Sequence, residues 1–503
     1  MKKVHGKHIQ LRQLKEYDIK SVKHNTVMNV LLTASNALVS LIAIPYVTRI
    51  LSVSGYGVVG FAQNAASWFS IFATIGISTY GIRECAKARA DRIALAQTLT
   101  ELLALLGVFT AAALAVFAAC ILFIPQFAAH AVFFWIFFAN TFIMSFGVDW
   151  FYQAIEQYSY ITKRSVAFKV VSLAFILLFV RHADDAVQYA LILAFVTCGN
   201  NLLNITKLHE YVDFRTVGRL NLKQHLKPLF SFGALNLSSS VYLTLDTVIL
   251  GMFPDGDYQV GLYQLAVKLR GFLSAFVGGI ANASVSRLSI YAAEKDHDDY
   301  DALLSKNLGF VTNLSFAIAC YLLVFAKPLI VLVSSAKYDG SILPLQLSGF
   351  AMAVAALNTV FGFQVLTPWG KEKELAISNS IGVPVSVGLN IFLDGRFGAD
   401  GAAFAYLMTE SAVFVAQLVY IRKILKRIVR YSEVAKIVLC LAVSTVLSFL
   451  SLQLIGSMSA VKELTVSLVV FFVPWYVLAF MTKEDSAQMI NQIFAKMLKK
   501  GAR

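Results

Sequence analysis

Residues 95–122 read LAQTLTELLALLGVFTAAALAVFAACIL, twenty-eight residues with a single charge, Glu101. A helix crossing the ~30 Å hydrocarbon core of a bilayer takes about 20 apolar residues, and this stretch supplies them. Stretches of the same kind recur near 26–48, 57–79, 131–152, 166–180, 186–206, 229–252, 258–285, 307–326, 342–366, 375–393, 400–421, 435–455 and 464–482, which with 95–122 makes fourteen. Breakers such as Ser54-Gly55-Tyr56-Gly57, Pro254-Asp255-Gly256-Asp257 and Asp394-Gly395-Arg396-Phe397-Gly398 fall between them. Composition agrees, since 58% of the 503 residues are hydrophobic and only 14% are charged. The fold class this predicts is an all-α polytopic membrane protein of about fourteen transmembrane helices. So apolar a chain leaves no room for a large soluble domain, which excludes a cytosolic enzyme, a secreted disulfide scaffold and a single-pass receptor. Transporters, channels and membrane-embedded enzymes remain.

Four of the five cysteines lie within apolar runs and Cys85 lies in a basic loop, so no disulfide framework is expected. The first 25 residues are polar and basic and lack the apolar core and small-residue cleavage site of a signal peptide, so the first span is expected to be retained.

The net charge of +14 would suggest nucleic acid on a soluble protein. Here it is read as cytoplasmic loops meeting anionic lipid, with no nucleic-acid partner. With the N-terminus inside, the cytoplasmic segments 1–25, 80–94, 153–165, 207–228, 286–306, 367–374, 422–436 and 483–503 hold 34 of the 43 Lys and Arg residues. The external turns hold six, and Lys169, Lys268 and Arg270 fall within spans. Both termini are therefore predicted in the cytoplasm, with the chain multiply spanning the cytoplasmic membrane.

A short internal repeat sets the domain plan. Gly60-Phe61-Ala62-Gln63 opens the second stretch as Gly261-Leu262-Tyr263-Gln264 opens the eighth, 201 residues later. Two pseudo-symmetric six-helix lobes follow as the expectation, a common transporter plan. The expected layout is a cytoplasmic segment 1–25, a first lobe 26–206, a basic linker 207–228, a second lobe 229–421, and helices 13 and 14 with a tail over 422–503.

Polar residues inside spans cost free energy to insert and carry the functional information. Asn29, Thr33, Asn36 and Ser40 share one face of the first helix, and Gln63, Ser67, Ser70 and Thr74 one face of the second. These stripes either line a hydrated cavity or bond helices to one another. Lys268 lies ten residues into the eighth stretch, about 15 Å deep and near the bilayer centre, with Arg270 two residues on and some 200° around the helix. At least one is expected to bind an anionic phosphate, the competing readings being a buried ion pair or a snorkelling cation. Asp246, on a face with Ser239 and Tyr242, is expected either to carry a proton or sodium ion or to balance a neighbouring cation. Asp149, before Trp150-Phe151-Tyr152-Gln153, marks either the inner mouth of a cavity or a helix end at the interface. Arg49 and Arg83 sit at helix ends, where interfacial anchoring competes with substrate binding. The acidic run Asp296–Asp301 reads as a solvated loop. No zinc spacing, phosphate-binding P-loop or GxSxG elbow occurs, so neither a metal nor ATP hydrolysis is expected.

Beyond this residue-level reading, the chain resembles a known family. The match is carried by Pro45-Tyr46-Val47-Thr48-Arg49-Ile50-Leu51, by Gly76-Ile77-Ser78-Thr79-Tyr80-Gly81-Ile82-Arg83-Glu84, and by Asp149-Trp150-Phe151-Tyr152-Gln153. Leu245-Asp246-Thr247, Gln364, Pro368, Asn390 and Gly401-Ala402-Ala403 with Glu410 continue it to about residue 425. This pattern resembles the Wzx-type oligosaccharide flippases of the polysaccharide transport family, in the superfamily that also holds drug/toxin extruders and the lipid II flippase. The resemblance implies a non-enzymatic flippase for undecaprenyl-pyrophosphate-linked oligosaccharide in capsule, O-antigen or exopolysaccharide assembly. It implies no cofactor beyond coupling protons or sodium ions. Its expected partners are lipid-linked oligosaccharide, membrane lipids, and a polymerase and glycosyltransferases of the same pathway. Arg49, Arg83, Asp149 and Asp246 match motif positions. Cation-coupled multidrug extrusion is the alternative.

Overall fold

In a computed structural model, residues 2–4, 7–9, 17, 20–282, 284–294, 296–455 and 460–482 are described. Two three-residue strands, β1 (Lys2–Val4) and β2 (Lys7–Ile9), pair antiparallel. All other regular structure among the described residues is helical, as a chain in hydrocarbon requires when its backbone N–H and C=O groups must pair within each segment. The chain forms two compact units, Met1–Gly261 and Leu262–Arg503.

The first unit begins with α1 (Val22–Ile50), α2 (Val53–Ala73), α3 (Ile77–Ala88) and α4 (Arg92–Phe123). It continues through α5 (Pro125–Ala129), α6 (Ala131–Ser145), α7 (Asp149–Ala154), α8 (Tyr158–Phe179), α9 (Ala186–Tyr211) and α10 (Lys223–Gly251). Side-chain caps start several of these. Ser21 accepts from the His24 N–H, Ser52 from Gly55, and Asp91 from Ile93 and Ala94, satisfying N–H groups that have no partner inside the helix. Between α2 and α3 the chain bends by 42°. Gly76 makes the bend, at φ +67°, and a Cβ there would run into the Leu229 carbonyl and Gly233 of α10. Only glycine meets both demands. Leu99, Leu102 and Leu106 of α4 pack with Phe151 and Tyr152 of α7 in a buried cluster. On the other side of α4, Val108, Val116 and Leu122 are exposed. That apolar outer surface suits a lipid surround and not water.

The second unit holds most of α11 (Gly256–Asn282), then α12 (Val285–Glu294), α13 (His297–Val333) and α14 (Ile342–Val360). A π-helical turn over Phe361–Leu366, α15 (Glu372–Ile428), α16 (Tyr431–Ile455) and α17 (Ala460–Met481) complete it. α13 kinks at Phe325, three residues before Pro328, where proline removes a hydrogen bond and crowds the preceding turn. The 57-residue α15 is broken at Gly398, whose φ of +55° and ψ of −130° interrupt the helix.

Each of the fourteen apolar stretches overlaps a helix, with non-helical breaks at 74–76 and 146–148 inside two of them. Among the described residues ten helices are long and apolar enough to cross a membrane, or eleven with α2 and α3 taken as one span. Length and apolarity alone thus do not reach the expected count of about fourteen. α15 counts once despite its break, and α8 carries Lys163, Arg164 and Lys169.

Candidate functional site

Within the first unit a cavity of about 500 Å³ lies among α2, α3, α4, α6, α7 and α9. Ser67, Ser70 and Thr74 of α2 line one side, and Asp149, Trp150 and Gln153 of α7 and Asn200 and Asn201 of α9 line another. The α2 hydroxyls are satisfied locally: Ser67 donates to the Gln63 carbonyl at 2.9 Å, Ser70 to Ala66 at 3.1 Å and Thr74 to Ser70 at 2.8 Å. Their oxygens keep accepting capacity toward the cavity.

The turn that presents Asp149 is strained. Val148 sits at φ +43°, a conformation a β-branched residue adopts only when its surroundings enforce it, at a cost of about 1–3 kcal/mol. Neighbouring side chains enforce it. Asn204 donates from Nδ2 both to the Gly147 carbonyl and, at 2.6 Å, to Asp149 Oδ1. Arg164 of α8 donates from Nη2 to the same oxygen at 2.7 Å and from Nε to Asn200 Oδ1. Asn200 in turn donates to Ser165 at 3.2 Å. The Arg164 side chain is 4% exposed and that of Asp149 is 43% exposed, so the cation stands behind the wall and the carboxylate in front of it. Arg164 Nη1 is buried with no hydrogen-bond partner among the described residues.

A second polar cluster fastens the segment leading into α10. Glu101 of α4 accepts from Gln97 Nε2 at 2.7 Å, and from the Asn221 N–H, Gln224 Nε2 and His225 Nε2 at 2.8 Å each. Tyr80 of α3 meets His225 Nδ1 at 2.9 Å. Gln97 accepts from the Gly218 N–H and donates to the Arg219 carbonyl. The buried carboxylate is thus fully hydrogen-bonded, the condition under which burying a charge is tolerable.

Of the residues chosen from the sequence, the structure brings Ser67, Ser70, Thr74 and Asp149 to the cavity. Gln63 is half-buried on α2 outside the lining, and Asn36 is exposed on α1. Arg49 is exposed in the last turn of α1. Arg83 pairs with Glu84 at 2.9 Å and lies 4.9 Å over the Phe232 ring. Asp246 is buried on α10, and the side chains of Ser239 and Tyr242 lie outside the described residues, as does the basic tail 483–503. In the second unit α11 sends its two cations into different surroundings. Lys268 is exposed, whereas Arg270 is buried with its guanidinium 3.8 Å over the Tyr406 ring. Reading the sequence missed Arg164, Asn200, Asn201, Asn204 and the Glu101–His225 cluster. A signal for three of these was present, since Asn200, Asn201 and Asn204 interrupt an apolar helix at spacings that share a face.

This geometry, polar cavities and buried charges held among long apolar helices, belongs to a multi-pass membrane protein of transporter fold. The lipid II flippase MurJ in its inward closed conformation superposes with a TM-score of 0.73 at 11% identity, covering 92% of this chain and 99% of that one. An inward-facing multidrug resistance MATE transporter superposes with a TM-score of 0.55 at 14% identity, covering 77% and 98%. The polysaccharide biosynthesis protein family matches residues 22–286, more than half of the chain, and the chain belongs to that family. Two relatives, each named "Putative O-antigen transporter", are 24% identical in Escherichia coli (strain K12) and 22% identical in Shigella dysenteriae. They cover 80% and 79% of this chain and 97% and 99% of their own lengths. The family match and the names of these relatives agree with the resemblance read from the sequence.

Proposed function

We propose that the protein flips undecaprenyl-pyrophosphate-linked oligosaccharide from the inner to the outer leaflet of the cytoplasmic membrane, by alternating access. The relatives named for O-antigen transport, matching nearly end to end, support the polysaccharide assignment. The observation that carries it is the 500 Å³ cavity of the first unit, whose carboxylate, amides and hydroxyls are set among apolar helices. Sugars and pyrophosphate lose their water hydrogen bonds in hydrocarbon, at several kcal/mol for each group left without a partner, whereas the lipid tail crosses at no such cost. A protein that supplies replacement polar groups along the path removes that barrier.

In this reading Lys268 and Arg270 hold the pyrophosphate, with Arg49 and Arg83 as further cations on its route. Asp246 takes a proton or sodium ion to tune release. Both termini stay in the cytoplasm, and a polymerase and glycosyltransferases of the same pathway supply and consume the substrate. Extrusion of small amphiphiles is the rival reading, favoured by the fold shared with the MATE transporter.

Depletion of the protein, with lipid-linked oligosaccharide located by an impermeant lectin or glycosidase against a total-lipid control, tests this. Complete repeats should accumulate, shielded on the cytoplasmic side. Normal external exposure together with a broad drug-sensitivity phenotype would overturn flipping in favour of extrusion.

A further inference from the structure

We infer that the cavity of the first unit receives the hydroxyl-bearing sugars of the lipid-linked substrate and not its pyrophosphate. This rests on the flippase reading above and adds to it which part of the substrate meets which wall.

The electrostatics of the lining lead to it. Among the described lining residues none is Lys, Arg or His. Arg164, which pairs with Asp149 through Nη2, is 4% exposed, so its charge is balanced behind the surface. What faces the cavity is Asp149 itself, 43% exposed. Its Oδ1 accepts from both Arg164 and Asn204, and its Oδ2 accepts none among the described residues. With Arg164 the pair is net neutral and presents its negative end to the cavity, so it offers an anionic diphosphate no net attraction. A sugar hydroxyl donates to Oδ2, and a hydrogen bond to an ionised acceptor is about twice as strong as a neutral one.

Asn201 points the same way independently. It is 7% exposed and lines the cavity, yet its side-chain amide makes no hydrogen bond among the described residues, nor does that of Gln153 beside it. An amide that reaches a cavity without a protein partner is open there to a solute or to water. A free carboxylate oxygen and two free amides together offer acceptors and neutral donors, the mixture a polyol can use on both counts. The volume falls in the range of small-molecule sites. The strained Val148 turn, clamped by Asn204, is what aims Asp149 at this space.

The experiment uses the full chain in lipid nanodiscs and calorimetric titration with two probes. One is the oligosaccharide released by mild acid from the lipid-linked pool of the cells that make the protein, and the other is inorganic pyrophosphate. The oligosaccharide should bind, Asp149→Asn should weaken it about tenfold, and Asn201→Ala, which leaves the ion pair intact, should weaken it severalfold. Pyrophosphate should not displace it. No binding to the wild type, indifference to both substitutions, or displacement by pyrophosphate would each overturn the inference. Failure of the flippase reading looks different: the leaflet assay would then be normal while the oligosaccharide still bound with the same dependence on Asp149 and Asn201.

Discussion

The cavities of the two units are close in size and opposite in chemistry. The first, about 500 Å³, carries a carboxylate, three amides and several hydroxyls. The second, about 440 Å³, lies among α13, α15 and α16 and is walled by Leu308, Phe316, Phe361, Phe414, Leu418 and Val438, with Arg430 and Glu433 also in its lining. Its hydroxyls donate to backbone carbonyls, Thr312 to Leu308 and Ser305 to Ile428, as those of α2 do in the first. Volume therefore says little about what either holds. The lesson is in the cost of each lining: apolar walls are held by area and packing, whereas in the polar wall Arg164 and Asn204 bond Asp149 and Asn200 holds Arg164 in place.

The sharpest way to break that comparison is to remove one partner of the polar wall. Asp149→Ala leaves the Arg164 guanidinium buried without its anion, and we expect a loss of about 3 kcal/mol, read as a large fall in the unfolding temperature in detergent. The double variant Asp149→Ala with Arg164→Met should recover much of that stability, because no buried charge remains. It should not recover oligosaccharide binding. A double variant as unstable as the single one would mean that the ion pair is not what the wall depends on.

The apolar cavity should respond in another manner. Phe414 stacks on Phe361 with ring centroids 5.5 Å apart, and Phe414→Ala removes that contact while enlarging a space that already exists. Half-buried as it is, the ring is worth about 2 kcal/mol by area and stacking. The loss should be insensitive to salt and leave saccharide binding unchanged within twofold. A change in saccharide binding as large as that from Asp149→Asn would show that saccharide binding does not depend on the polar cavity alone.

The same contrast explains what the sequence could and could not convey. Apolar stretches such as 95–122 announce helices because the period and length of hydrophobicity are local properties, and each of the fourteen overlaps a helix. The bend at Gly76 and the break at Gly398 were legible as glycines but not as geometry, since what demands them is a close neighbour or an unusual ψ. The site was legible only in part. Ser67 and Ser70 show their periodicity, and Asp149 stands out inside an apolar surround. Arg164 does not, because beside Lys163 it reads as one more cytoplasmic charge, and only packing of α7 and α9 on α8 turns it inward. Glu101 escaped for the opposite reason: a lone carboxylate in an apolar run gives no hint of His225, 124 residues away.

Ser70→Ala carries the smallest expected effect and separates lining from support. Its hydroxyl donates to the Ala66 carbonyl at 3.1 Å and lies 3.4 Å from Thr141 Oγ1. A helix carbonyl that already bonds along its own helix loses little when such a donor goes, so thermal stability should change by less than about 0.5 kcal/mol. If the hydroxyl oxygen accepts from a sugar in the cavity, oligosaccharide affinity should nonetheless fall by about two- to fivefold, the worth of one neutral hydrogen bond at the low end of its range. A variant that loses stability but keeps its affinity would make the α2 stripe helix-to-helix glue, and the polar wall of the cavity would then be the work of α7 and α9 alone.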